Sequence, residues 1–128
     1  MLAIKNDRLI KIDLRKIPRI CEALGKNAVI LTGHANNEAV VSCLILIFGG
    51  KAFYRAAAAG IKGRELHASH VMILHLLEYL KSAGCSWLDF GGLDARKTTA
   101  QGVNFFKKGF GCEFVEYTGE WEWSNCQW

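Results

Sequence analysis

Proline is nearly missing from this chain: Pro18 is the only one in 128 residues. With no low-complexity tract and no internal repeat, that excludes a proline-rich spacer and a solenoid, and no linker divides the chain. The expectation is a single domain over residues 1–128, with its core in 26–124 and an N-terminal strand and helix in 1–25. Long hydrophobic runs are also missing. The longest, Ala39 to Phe48, is too short to cross a bilayer and is broken by Ser42 and Cys43. The N-terminal MLAIKNDRLIKID carries charge where a signal peptide needs an apolar stretch. A cytoplasmic protein with no membrane insertion is expected. Cys21, Cys43, Cys85, Cys112 and Cys126 are odd in number and include no Cys-x-x-Cys pair. Reduced thiols fit them better than a disulfide framework or a zinc site. The net charge of +4 holds no run of five like charges and does not argue for nucleic acid by itself. Gly-x-Ser-x-Gly, His-Glu-x-x-His and Walker patterns are all absent.

What remains is an ordinary globular composition with clear punctuation. Arg8 to Ile12 alternates weakly, as a short strand does. Asp13 offers an N-cap for a helix reaching Leu24, where Gly25 stops it. Ala28 to His34, Glu38 to Phe48 and Lys51 to Ala59 read as three consecutive antiparallel strands. Asn36-Asn37 and Gly49-Gly50 are their turns. A loop over Gly60 to Arg64 leads into a helix from Ala68 to Ala83. Its apolar face is Met72, Ile73, Leu76, Leu77, Tyr79, Leu80 and Ala83. Ser86 to Phe90 reads as a strand, Gly102 to Lys108 as a short helix, and Glu113 to Tyr117 and Glu120 to Ser124 as closing strands. The order αβββαβαββ, with an extra strand before it, points to an α+β fold: one mixed, mostly antiparallel sheet flanked by helices.

Three features bear on chemistry. The four alanines Ala56 to Ala59 are unusual in a strand. They either pack under a helix or let a ligand approach the backbone. After Gly60, a helix start with free N–H groups is joined by Lys62, Arg64, His67 and His70. That is either an anion site or a solvated loop. His67 and His70 are three apart, but no third ligand accompanies them, so no metal site is expected. In WLDFGGLDARKTTAQGVNFFKKGFG, Asp89 ends a strand. There a carboxylate either faces a cleft or binds nearby loop N–H groups. Lys107 and Lys108 are about 100° apart on a helix, so one of them faces a site. A lysine there either stabilises developing negative charge or snorkels along the surface. Asp89 and Lys107 are the catalytic candidates. Ala58, Gly60, Arg64, His67, His70 and Arg96 are the substrate-binding ones. Trp121, Trp123 and Trp128 crowd the C-terminus, either packed on the sheet or presented to a partner.

GCSWLDFGGLD followed by GVNFFKKGFGCEFVEYTGEWEW resembles the C-terminal signature of the FemABX transferases, within the wider GNAT-like acyltransferases. Gly84, Asp89, Gly91 and Gly92 match its first part. Gly102, Phe106, Lys107, Phe110 and Gly111 match its second, and this alignment is what favours Lys107 over Lys108. The resemblance is strong from Arg64 to Trp123. It implies a GNAT-like sheet, splayed between its central strands, and transfer of an acyl or aminoacyl group to the amine of a small molecule or peptide. The donor it implies is a coenzyme A thioester or an aminoacyl-tRNA. GIKGRELHA lacks the usual coenzyme A loop pattern, and FemABX enzymes carry two such units where this chain has one. A homodimer is left open on that ground, and so is a non-catalytic single unit that binds or dimerises.

Overall fold

The computed structural model describes residues 2–5, 8–11, 16–93, 101–116 and 119. The chain forms two compact units, Met1–Leu93 and Asp94–Trp128.

In the first unit, β1 (Leu2–Lys5) and β2 (Arg8–Lys11) pair antiparallel as a two-stranded sheet of their own. The sequence reading had only the second of these strands. Helix α1 (Lys16–Leu24) carries half-buried Ile17, Ile20, Cys21 and Leu24 at helical spacing. It ends at Gly25, whose φ of 51° breaks the helix, and a short 3-10 turn follows over Gly25–Asn27. The expected cap, Asp13, lies outside the described residues.

The main sheet has the order β3-β4-β5-β6: β3 (Ala28–Ala35), β4 (Glu38–Phe48), β5 (Lys51–Ala59) and β6 (Trp87–Asp89). The first three run antiparallel through two-residue turns. Asn36 and Asn37 (φ 51° and 64°) close one, Gly49 and Gly50 (φ 54° and 75°) the other. Both central residues at positive φ match the strand twist, which is why Asn and Gly occupy them. β6 joins β5 parallel, so the sheet is mixed. The link between them is α2 (Ile61–Glu65) and α3 (Ala68–Ser82).

The loop expected over Gly60 to Arg64 is therefore a correction, because most of it is α2. A helix forms there because Gly63 lets it lie directly on β4. A Cβ at Gly63 would stand 2.9 Å from the Val40 carbonyl carbon and closer still to its oxygen. The Gly60 N–H donates to the same Val40 carbonyl at 3.0 Å.

The core joins Val40, Val41, Cys43, Leu44, Ile45 and Ala52 of the sheet to Met72, Ile73, Leu76 and Leu80 of α3. Leu77 and Tyr79, assigned to the buried face from periodicity, are 43% and 38% exposed. A helix lying on one sheet buries a narrower stripe than the wheel assigned. Ala83 is the C-cap rather than a face residue.

In the second unit, α4 (Gln101–Lys108) closes through Gly109, whose N–H donates to the Phe105 carbonyl at 3.0 Å. The Phe106 and Phe110 rings meet edge-to-face at 5.0 Å. The strand expected from Glu113 is a second correction. Among the described residues, 112–116 hold no strand pairing, and Phe114 and Val115 are both exposed rather than alternating in and out; Tyr117 lies outside the described residues. The last expected strand, Glu120 to Ser124, and Trp121, Trp123 and Trp128 lie outside the described residues. The class stands: an α+β fold on a mixed, mostly antiparallel sheet.

Candidate functional site: a strand paired on one side

The register of β6 on β5 is short. Lys51 pairs with Trp87, Ala52 with Leu88 and Phe53 with Asp89. The Ser86 N–H donates to the Gly50 carbonyl at 2.9 Å, which fixes where β6 begins. From Tyr54 to Ala59, β5 keeps its partner β4 but has no strand on its other edge among the described residues.

Two local features end the pairing. The Gly91 N–H donates to Asp89 Oδ1 at 2.6 Å, and Gly91 itself sits at φ 74°. This Asx-type turn directs the chain out of the strand. Phe90 then sets its ring 5.6 Å from that of Tyr54, tilted by 43°, at the point where the strands part. On β5, the register against β4 slips between Leu44 and Ile45. Leu44 faces Ala56 and Ile45 faces Tyr54, so Arg55 is the extra residue of a bulge. A bulge sharpens local twist and turns backbone groups away from the ladder. Burial holds the Tyr54 phenol above its ordinary value, reinforced by the Cys43 thiol, and burial also raises Cys43. Both therefore stay neutral in the core.

Beyond the bulge none of the four alanines is buried. Ala56 and Ala57 are exposed, and Ala58 and Ala59 are half-buried. The result is a run of strand backbone whose outward N–H and C=O groups meet no strand among the described residues, with little side-chain bulk. Such an edge accepts an extended, amide-bearing chain as a surrogate strand, and its N–H groups can receive a carbonyl oxygen. At its far end Gly60 caps α2, and Arg64, His67 and His70 stand exposed on the turn into α3. His67 holds φ 51° as the residue before α3, and its ring lies 6.0 Å from that of His70, edge-on. Lys62 is committed elsewhere, in an ion pair with Glu38 at 3.0 Å.

Ala58, Gly60, Arg64, His67 and His70 thus lie along one continuous run, the open end of β5 and the turn that follows. Asp89 does not join them directly. Its register partner is Phe53, roughly 20 Å back along the strand from Gly60 at the usual rise. The local capping role foreseen for Asp89 is present in the Gly91 hydrogen bond. In the second unit, Lys107 is half-buried on α4, while Lys108 is exposed with its Nζ 5.7 Å from the Phe114 ring centroid. Arg96 lies outside the described residues. Sequence reasoning missed Arg55, Tyr54 and Phe90. No residue signal marks the bulge, because Tyr-Arg-Ala reads as uninterrupted strand. Among the described residues no helix is long and apolar enough to cross a membrane, and no three His, Cys, Asp or Glu side chains gather as a metal would need.

An antiparallel sheet that ends in a short parallel pairing, then splits, is the architecture of the GNAT-like acetyltransferases. The aminoglycoside 6′-N-acetyltransferase AAC(6′)-IG of Acinetobacter haemolyticus matches it with a TM-score of 0.64 at 12% identity, over 94% of this chain and 88% of that one. The aminoglycoside N-acetyltransferase AAC(6′)-Iy, solved in complex with CoA, matches with a TM-score of 0.59 at 15% identity, over 88% and 89%. Within that architecture the chain belongs to the FemAB family, which it matches over residues 17–126. It is 24% identical over 111 residues to the lipid II:glycine glycyltransferase of Staphylococcus saprophyticus. That similarity covers 84% of this chain and 27% of the glycyltransferase, so the chain spans about a quarter of that relative's length.

Proposed function

We propose that this chain is an acyl- or aminoacyltransferase unit acting on an amine, with the open half of β5 as its donor site and residues 1–128 working as one GNAT-like domain. The observation that carries the reading is the one-sided strand from Tyr54 to Ala59, past a bulge and lined by alanines. The donor is a coenzyme A thioester or an aminoacyl-tRNA ester, laid along that edge with its acyl carbonyl toward the strand N–H groups. The acceptor is a small-molecule or peptide amine. The amine nitrogen attacks the carbonyl carbon and a C–N bond forms. The carbonyl π electrons move to oxygen, and β5 N–H groups donate hydrogen bonds to the oxyanion so formed. Collapse breaks the C–S or C–O bond, and the leaving thiolate or alkoxide takes up the proton the amine gives away. The exposed Arg64 guanidinium draws the anionic part of the donor, and His67 and His70, at the start of α3, offer it ring N–H groups. Asp89 holds the glycine turn that keeps the split open, and Lys107 opposes negative charge in the reaction. A homodimer and a cytoplasmic setting accompany this reading.

Isothermal titration with acetyl-CoA, a glycyl-tRNA and a lipid II-type pentapeptide tests it. One donor is expected to bind, and Arg64→Ala to weaken it about tenfold, which is near the loss of one charge-assisted contact. Lys107→Ala is expected to lower kcat with little change in KM. If neither donor binds, the transferase reading falls and a non-catalytic FemAB-like module is left.

A further inference from the structure

The bulge on β5 carries an arginine with no partner among the described residues. Arg55 is the extra residue of the register slip, two positions past Phe53, where pairing with β6 stops. A bulge asks for a backbone geometry, not for a charge. Arg55 is exposed, and it is the one charged residue from Tyr54 to Ala59, with four alanines after it. Across the strand stand Leu44 and Ile45. Among the described residues its guanidinium makes no ion pair and no hydrogen bond. Asp89, which pairs in register with Phe53, gives its Oδ1 to the Gly91 N–H instead. Arg64 lies at the other end of the open strand, beyond Gly60, which is roughly 16 Å from Arg55 at the usual rise. The open half of β5 therefore has a fixed positive charge at each end.

We propose that Arg55 selects the acceptor by binding a carboxylate on it, so that the amine acylated at this site belongs to an amino acid or to a peptide with a free carboxylate. This deepens the transferase reading and rests on it. The anionic part of the donor is drawn to Arg64, so its acyl end lies back along the strand toward Arg55, and the acceptor meets it there. A guanidinium keeps its charge at any working pH, and its planar fork matches a carboxylate through two parallel hydrogen bonds. It repels an acceptor whose other groups are cationic. It also acts on the nucleophile. A positive charge near a bound ammonium favours loss of its proton, and only the neutral amine attacks.

Titration of the acceptor alone tests this without relying on turnover. The probes are Nα-acetyl-lysine, which has a free ε-amine and a free carboxylate, its carboxamide, which lacks the carboxylate, and spermidine. The wild type is expected to bind Nα-acetyl-lysine about tenfold more tightly than the carboxamide, as one charge-assisted contact implies, and spermidine more weakly still. Arg55→Gln is expected to erase the difference between the first two, and Arg55→Lys to restore part of it. Circular dichroism checks folding, and Arg55→Ala carries the test should Arg55→Gln not fold. Arg64→Ala is expected to keep the preference while weakening the donor. In turnover, Arg55→Gln is expected to raise KM for the carboxylate acceptor far more than it lowers kcat, and to move the acid limb of kcat to higher pH. Failure to bind any donor is the failure of the transferase reading. Equal binding of Nα-acetyl-lysine and its carboxamide, by a wild type that does bind a donor, overturns this proposal alone. So does a preference that survives Arg55→Gln. An Arg55-dependent preference for succinyl-CoA over acetyl-CoA, with none among acceptors, overturns it too, since the carboxylate would then belong to the acyl group.

Discussion

The two halves of β5 make different things of similar backbone. Lys51 to Phe53 is paired on both sides, and Ala52 there is fully buried between Ile47 and Leu88 as its register partners. Among the described residues Tyr54 to Ala59 is paired on one side, and its alanines stay in reach of solvent. Three features draw the dividing line: the Arg55 bulge on one strand, Phe90 against Tyr54, and the Asp89–Gly91 turn on the other. An alanine therefore serves packing before the bulge and access after it. The residue type is the same, and the neighbour across the sheet decides its role.

The largest expected effect strikes what holds the open half in place. Gly63→Ala drives a methyl into the Val40 carbonyl, which as backbone cannot move aside. Overpacking of that kind should cost about 3 kcal/mol and lower Tm by roughly 10 °C. Differential scanning calorimetry measures it, and an unchanged Tm would mean that α2 does not rest on β4 as described.

A sharper cut uses one substitution on each half. Ala52→Leu should destabilise by about 2 kcal/mol, because no space receives the added carbons. Ala57→Leu should change stability by less than about 0.5 kcal/mol, since the site is exposed, yet should abolish donor binding by filling the edge. Urea unfolding and donor titration on the same two proteins separate the halves. Equal destabilisation would erase the distinction.

The smallest effect concerns pH. Tyr54 and Cys43 are held above their ordinary values of 10.0 and 9.0, chiefly by burial. Their raised folded-state values favour folding at and below neutral pH. As pH rises past about 9, the unfolded chain ionises them first, and that contribution is lost. Urea midpoints should fall between pH 8 and pH 10.5, and Tyr54→Phe should flatten the fall. A variant with the wild-type slope would show that the phenol is not sequestered.

Turns and periodicity carried much of this fold into plain view. Asn36-Asn37 and Gly49-Gly50 announce their hairpins because few other residues take positive φ in succession. The α3 stripe is visible at Met72, Ile73, Leu76 and Leu80 because burial follows the helical repeat. α2 was hidden, since Ile61–Glu65 is too short for periodicity and depends on Gly63 meeting a carbonyl twenty-odd positions earlier in the chain. The site was half visible. Gly60, Arg64, His67 and His70 were found from their types and spacing, and the alanine run from its oddity. Arg55 and Phe90 were not, because each acts through a neighbour on another strand.

Local chemistry was enough to determine the β3–β4–β5 meander, its turns, the α3 helix with the centre of its buried stripe, and the FemAB resemblance, since each depends on residues close in the chain. Pairing decided the rest. Where β6 stops along β5 depends on hydrogen bonds between segments far apart in sequence. Those bonds join backbone groups that every residue shares, so no residue type writes them in advance.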